Sequence, residues 1–438
     1  MAIPPDHETV STDHRRSGDP GILPVFSRCP PFPRIRRGMF TGATATKDHA
    51  MAPQPSHDGA PPAGAKRPWG KPAGDKLVGL EALRFIAAFA VLVWHYRHFL
   101  YVGLEPSGYV RENEPFHVLL APFHIYGYAG VELFWCISGF IFAWKYGDML
   151  RAGGMSLTRF MVLRFSRLYP LHLVTLLAVA AGQWVYFHNH DQYFLYVLND
   201  LKHFLLNLAF ASYWGFQAGQ SFNGPSWSIS AEILVYVLFF AVSRRISPGL
   251  WSAAAITVGI SVVASLLRAT IGLKLAIFGA ATFFYLGVVT SHLHALIEAR
   301  PRAGHARYAL LSLAVAIVSV ALVYTGVLKI AGASLVLFPA LILLSQRVLP
   351  HAQGGTATVL GFLGDLTYAS YMIHFPLQLG FVMLMERAGI DIRPLFYTHG
   401  FFLAYILTVF GLARLVFRGF ERPAQTAMRR AFLGSRGT

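Results

Sequence analysis

From Leu80 onward the chain alternates long apolar runs with short polar breaks, and the runs are close to twenty residues long. A helix rises about 1.5 Å per residue, so such a run matches the roughly 30 Å hydrocarbon core of a bilayer. The pattern predicts ten membrane-spanning helices, at about 78–101, 119–144, 169–187, 227–243, 251–271, 274–290, 308–326, 330–347, 362–385 and 400–418. Membrane strands would read as shorter segments of strict alternation, which no part of the chain sustains. The expected fold is therefore all-α, a polytopic membrane helix bundle of about ten transmembrane helices. An even number of crossings puts both ends on one side.

Two stretches stand outside this pattern. Residues 1–76 are rich in Pro, Gly, His and basic residues and lack hydrophobic periodicity, so a disordered leader is expected. They carry no apolar core of a signal peptide. Met39 and Met51 lie within the leader, so an overextended start of translation is one expectation for it. The other stretch, 201–214, is apolar but short for a span, and the loop after it to Pro225 has no Lys or Arg. It is expected to be re-entrant or interfacial on the outer face. The domain plan is then a leader over 1–76, a membrane domain over 77–423 and a short cytoplasmic tail over 424–438.

Composition supports this class: the 438 residues are 55% hydrophobic and only 13% charged, with mean hydropathy +0.48. The net charge of +16 could suggest a nucleic-acid partner in a soluble chain. Here the basic residues gather beside the predicted spans, in the loop 145–167, at Arg244, Arg245, Arg300, Arg302, Arg307 and Arg347, and at Arg429 and Arg430. That is the positive-inside pattern, which predicts cytoplasmic termini, a lipid bilayer as partner and no nucleic acid. Cys29 and Cys136 stand in unlike settings and suggest neither a disulfide framework nor a metal site.

Chemistry enters through the polar residues inside the apolar runs. Arg84 and His95 bracket FIAAFAVLVW in the first span, eleven positions apart. At 100° per residue they point within roughly 20° of each other, on the order of 16 Å apart along the axis. Ionisable groups inside a span cost about 2.5–3.5 kcal/mol each on insertion scales and usually face a bundle interior or wet cavity. His95 is the leading catalytic candidate, since an imidazole titrates near neutral pH and takes a proton from an attacking hydroxyl. Arg84 is too far away to tune His95 directly and needs a separate role, as an anion ligand or as partner of a carboxylate.

Arg164 and Arg167, in RFSRLYPLHL, are about one helical turn apart, so both guanidinium forks can face one anion such as a phosphate. The segment PSWSISAEILVY, Pro225 to Tyr236, carries Glu232 into apolar sequence. A carboxylate there wants a partner: pairing with Arg84, or a catalytic role in orienting His95 or binding a sugar hydroxyl. Ser228, Tyr236, Tyr371 and His374 are candidate cavity residues, the last two from YASYMIHFPL. Glu132 stands near the outer end of the second span, and the small pair Ser138-Gly139 after it suits close helix approach.

The order and spacing of these segments resemble the acyltransferase-3 family of integral membrane acyltransferases. The resemblance covers about 78–423 and rests on Arg84-x10-His95, FWCISGF, Arg164-x-x-Arg167, PSWSISAE, YASYMIHFP and the closing Phe420 to Pro423. It implies a ten-helix bundle and an essential histidine at His95. It also implies an acyl-CoA co-substrate bound from the cytoplasmic side, acetyl-CoA being favoured, with Arg164 and Arg167 holding its phosphates. No permanently bound cofactor and no metal are expected. Some relatives carry a C-terminal hydrolase-like domain, and this chain resembles the stand-alone form. The expected activity is acyl transfer to a hydroxyl of a cell-surface or exported carbohydrate, in the bacterial inner membrane. The acceptor either meets the donor in the membrane cavity or is reached through a separate extracytoplasmic partner. A transporter or flippase for a lipid-linked glycan or acidic small molecule is the competing class, because intramembrane Arg, Glu and His also mark transport pathways.

Overall fold

The structure, a computed structural model, describes residues 77–434 apart from 103–104, 107, 247–248, 274, 302–303 and 350–353, so the expected leader 1–76 lies outside the described residues. Fourteen helices follow in chain order: α1 Val78–His95, α2 His117–Tyr126, α3 Gly130–Arg151, α4 Leu157–His190, α5 Leu201–Leu208, α6 Trp227–Arg245, α7 Leu250–Ile271, α8 Ala276–Glu298, α9 His305–Tyr324, α10 Ile330–Val348, α11 Gly354–Arg387, α12 Ile392–Phe396, α13 His399–Val416 and α14 Arg422–Leu433. A two-residue β ladder, Tyr101–Val102 with Glu105–Pro106, follows α1. Several helix starts are set by local chemistry. Ser156, Asp200, Asp391 and Thr398 each accept a backbone N–H of the first turn of α4, α5, α12 and α13, satisfying donors that have no partner within the helix.

Nine helical segments among the described residues are long and apolar enough to cross a membrane. The outer ones show what they face: Ala253 is the one buried residue of α7, while Trp251, Val258, Val262 and Leu266 are exposed. An apolar surface of this extent belongs in lipid, and the protein is an integral membrane protein. The predicted span 362–385 is the exception. It lies within α11, which is long enough but too polar to count among the nine. Its Thr367, Ser370, His374 and Gln378 are buried, and the helix packs on α1, α4 and α13, so its polar side faces protein.

Three other expectations are adjusted. The span predicted at 119–144 is two helices, α2 and α3, joined by a 3-10 turn at Gly127–Ala129. The bend lies hard against α1: a Cβ at Gly127 would overlap the carbonyl of Ala90, and one at Gly130 would meet that of Ala87. The span predicted at 169–187 begins at Leu157, so Arg164 and Arg167 stand within α4 and not in a loop before it. Finally, α14 gives residues 422–433 a helix where only a short tail was expected; it packs along α4. The segment 201–214 contains only the eight-residue α5, about 12 Å long and too short to cross, as expected.

The small pair in α3 does what its size allows. Gly139 lies against Phe284 of α8 so closely that a Cβ would overlap that residue's carbonyl, and Gly287 of α8 meets the carbonyl of Cys136 in the same way. Two reciprocal glycines thus bring the two backbones together.

Candidate functional site

Two cavities are stacked along α1. The first encloses about 860 Å³ of space, its mouth included, and Arg84 of α1, Arg164 and Arg167 of α4, and Ser228, Glu232 and Tyr236 of α6 line it. The α6 residues recur every four positions, which places them in one stripe on one helix face. Arg164 lies beside the rings of both Phe142 and Tyr146, at 4.9 and 5.0 Å from their centroids, and donates to the Tyr146 hydroxyl. These contacts fix its fork by cation–π attraction and a hydrogen bond. Arg84 pairs with Glu81 on its own helix at 3.4 Å. Glu232 shares the cavity with Arg84 but is not in an ion pair with it, and one of its carboxylate oxygens is buried without a hydrogen-bond partner.

The second cavity is lined by His95 at the end of α1, by Arg97 and His98 just beyond it, and by Glu132, Trp94 and Trp227. Arg97 stacks on Trp94 at 3.9 Å. An Arg97 Nε and a Glu132 carboxylate oxygen are both buried without partners. Val131, Trp135 and Tyr371 line both cavities and form the wall between them. That wall is braced: Trp135 donates its indole N–H to the Ser228 carbonyl at 3.3 Å, and the Tyr371 hydroxyl meets the Ser228 hydroxyl and the Pro225 carbonyl, each at 2.7 Å.

His95 is held by α11, and the proline of YASYMIHFPL explains how. Pro376 has no N–H, so the carbonyl of Met372 loses its helical partner; Asn223 fills the gap at 3.0 Å. Beside it, His374 Nδ1 lies 2.6 Å from the Tyr371 carbonyl and its Nε2 lies 2.9 Å from His95 Nδ1. A carbonyl only accepts, so His374 Nδ1 carries the proton and its Nε2 accepts. His95 Nδ1 is then the donor, and the lone pair of His95 stands on Nε2. The rings of His95 and His374 are nearly coplanar, 12° apart with centroids 4.9 Å apart, as the bond between their edges requires, and Gln378 donates to the His95 carbonyl at 2.8 Å. The result is an imidazole with a fixed ring, a fixed tautomer and one unengaged nitrogen.

The residues singled out in the sequence therefore fall in four places. Arg84, Arg164, Arg167, Ser228, Glu232 and Tyr236 share the first cavity. Tyr371 stands in the dividing wall and His95 in the second cavity. His374 is fully buried behind His95, and its contact is with that ring. Glu232 makes no contact with His95, so it does not orient the imidazole. Sequence reading passed over Arg97, His98, Trp135 and Gln378. His98 carried a signal, one turn beyond His95 with ring centroids 4.6 Å apart, and Trp135 stood within the FWCISGF motif; Gln378 carried none, being ordinary in composition until α11 is placed.

An all-helical membrane bundle thus carries an arginine-lined cavity and, behind a shared wall, a histidine cavity. Residues 77–413 match the acyltransferase-3 family, whose matching region is described as an acyltransferase domain. The chain belongs to that family and is an acyltransferase. Protein 2 in picA locus of Rhizobium radiobacter is 28% identical over 186 residues, covering 38% of this chain and 81% of that protein. Acyltransferase MdmB of Streptomyces mycarofaciens is 31% identical over 170 residues, covering 37% of this chain but only 38% of that protein. No solved structure matches the chain.

Proposed function

We propose that the protein moves an acyl group, acetyl in the first instance, from acyl-CoA to a hydroxyl of a cell-surface or exported carbohydrate, with His95 as general base. The single observation that carries this reading is the hydrogen-bond chain from the Tyr371 carbonyl through His374 to His95 Nδ1, which assigns the lone pair of His95 to Nε2, in a cavity separated by one wall from an arginine-lined cavity. The donor's phosphates meet Arg164 and Arg167, with Arg84 adding positive charge deeper in. Its pantetheine arm carries amides and runs along the Ser228, Glu232 and Tyr236 stripe, where hydroxyls and an unpartnered carboxylate oxygen offer hydrogen bonds. The thioester arrives at the wall of Trp135 and Tyr371. In the second cavity Trp94 and Trp227 offer flat faces to a sugar ring, and Glu132 offers an acceptor for its hydroxyls.

In the step itself His95 Nε2 takes the acceptor's hydroxyl proton as that oxygen attacks the thioester carbonyl carbon. The C–S bond breaks, the protonated His95 returns the proton to the CoA sulfur, and a sugar ester and free CoA leave. While His95 is charged, its Nδ1–H bond to the neutral His374 persists and holds the ring in place. General-base assistance of this kind is typically worth about 10²–10⁴-fold. Because CoA is cytoplasmic, the arginine cavity faces the cytoplasm. That agrees with cytoplasmic termini in a bacterial inner membrane. The acceptor meets the donor in the membrane, or the ester is passed to a separate extracytoplasmic partner. Membership in an acyltransferase family displaces the transporter reading.

The test is transfer from radiolabelled acetyl-CoA into envelope carbohydrate, comparing wild type with His95→Ala at matched membrane expression. Label in wild type and its loss by about 100-fold or more in the variant is the expected result. Equal labelling would remove His95 from the mechanism. Label trapped on His95 with donor alone would replace direct attack by an acyl-histidine intermediate.

A further inference from the structure

The family match ends at residue 413, and α14 lies beyond it. Between α13 and α14 a π-helical turn, Phe417–Glu421, buries Glu421 and leads α14 onto α4. There Arg429 Nε donates to the hydroxyl of Ser166 at 3.2 Å. Ser166 is fully buried and stands in the sequence between Arg164 and Arg167. Arg429 is thereby pinned to the turn of α4 that carries both donor-side arginines, and its guanidinium is within electrostatic reach of Arg164 and of Arg167.

Among the described residues none of the three is in an ion pair. Arg164 retains a buried Nε without a partner. Glu421 and Glu232 act on Arg167 and Arg164 only at longer range. Arg429, held by its contact with Ser166 beside two further guanidinium groups, adds a like charge that repels them, and an arriving anion relieves that repulsion. Arginine forks match the oxygens of phosphate esters in geometry as well as charge. We propose that Arg429 completes a three-arginine phosphate site with Arg164 and Arg167, which grips the nucleotide-end phosphates of the acyl-CoA donor. This rests on the donor reading above, and the shared chemistry, a phosphate ester, also occurs in anionic lipid headgroups.

Two measurements on purified full-length protein test it. The first is binding of adenosine 3′,5′-bisphosphate, which needs no turnover, to wild type, Arg429→Ala, Arg429→Lys and Arg430→Ala. Arg430 lines a separate groove with Arg418 and Arg422 and serves as control. The expected result is a loss of tenfold or more for Arg429→Ala, a smaller loss for Arg429→Lys and no change for Arg430→Ala. Equal losses in Arg429→Ala and Arg430→Ala, or none in either, overturn the proposal. So does Arg429-dependent binding of phosphatidylglycerol vesicles without nucleotide binding, which would make this a headgroup site. The second compares KM for acetyl-CoA and for acetyl-pantetheine, which lacks the nucleotide phosphates. Arg429→Ala should raise the first tenfold or more and leave the second unchanged, with kcat retained. An equal rise for both donors assigns Arg429 a purely structural role and overturns the phosphate site. If wild type binds the nucleotide but turns over neither thioester, the donor reading fails while the phosphate site stands.

Discussion

The two cavities differ in how they hold charge. Three arginines and one carboxylate line the first, so it carries a net positive field in a partly enclosed setting. One arginine and one carboxylate line the second, among indole and imidazole rings. Water screens charges poorly in a narrow cleft walled by protein, so the first cavity attracts a polyanion before any close contact forms. The second offers no such field and selects by shape, stacking and hydrogen bonds. A donor bearing several phosphates and an uncharged sugar acceptor make just these opposite demands. The division also explains why Arg84 and His95 share one stripe of α1: the same helix face supplies one residue to each cavity.

If the division of labour is right, damage to each cavity should leave the other's parameter alone. The largest effect should come from removing both Arg164 and Arg167. Hydrogen bonds to charged groups contribute about 1.5–3 kcal/mol each. The double variant Arg164→Ala, Arg167→Ala should therefore raise KM for acetyl-CoA by about 100-fold or more, with acceptor KM nearly unchanged. Steady-state kinetics with each substrate varied in turn gives the answer, and parallel rises in both KM values would merge the two cavities into one site. Next comes His374→Ala. It leaves His95 Nδ1–H without its acceptor and frees the ring to turn. Loss of a group that orients a histidine costs about 10–100-fold in metal sites, where the partner likewise fixes ring and tautomer. Here that loss should fall on kcat, not on either KM. His374→Gln, which restores an accepting oxygen, should recover part of it. Unchanged kcat in His374→Ala would show that the ring holds its position without the bond.

Much of this arrangement was legible in the chain, and the reason is physical. A charged or titratable residue in an apolar run has to be explained, so Arg84, His95, Glu232 and His374 announced themselves, and the helical period placed Arg84 and His95 on one face. The breadth of the helices was less legible. Arg164 and Arg167 sit inside α4 because Ser156 caps that helix well before the apolar run begins, and hydropathy alone does not register a cap. What pairs with what was not legible at all. Glu81, an ordinary residue near a helix start, takes Arg84 and leaves Glu232 unpaired. His374 reaches His95 across 279 positions. Arg429 read as one more positive-inside residue, because only the π turn after α13 reveals where α14 goes. Trp135 and Tyr371 became a wall only when α3 and α11 were set beside each other.

The smallest predicted effect is also the most direct probe of the acceptor side. Glu132 lines the histidine cavity from the first turn of α3, and one of its oxygens is buried without a partner. A buried acceptor left unsatisfied costs about 1–3 kcal/mol until something donates to it, and a sugar hydroxyl in the cavity would do so. Glu132→Gln preserves size and one accepting oxygen while removing the charge, so it weakens the contact without emptying the site. Acceptor KM should rise about three- to tenfold, the equivalent of one hydrogen bond weakened from charged to neutral. Donor KM should stay where it was, because Glu132 does not border the arginine cavity. A rise in donor KM instead would place the thioester beyond the Trp135 wall, beside Glu132 in the histidine cavity.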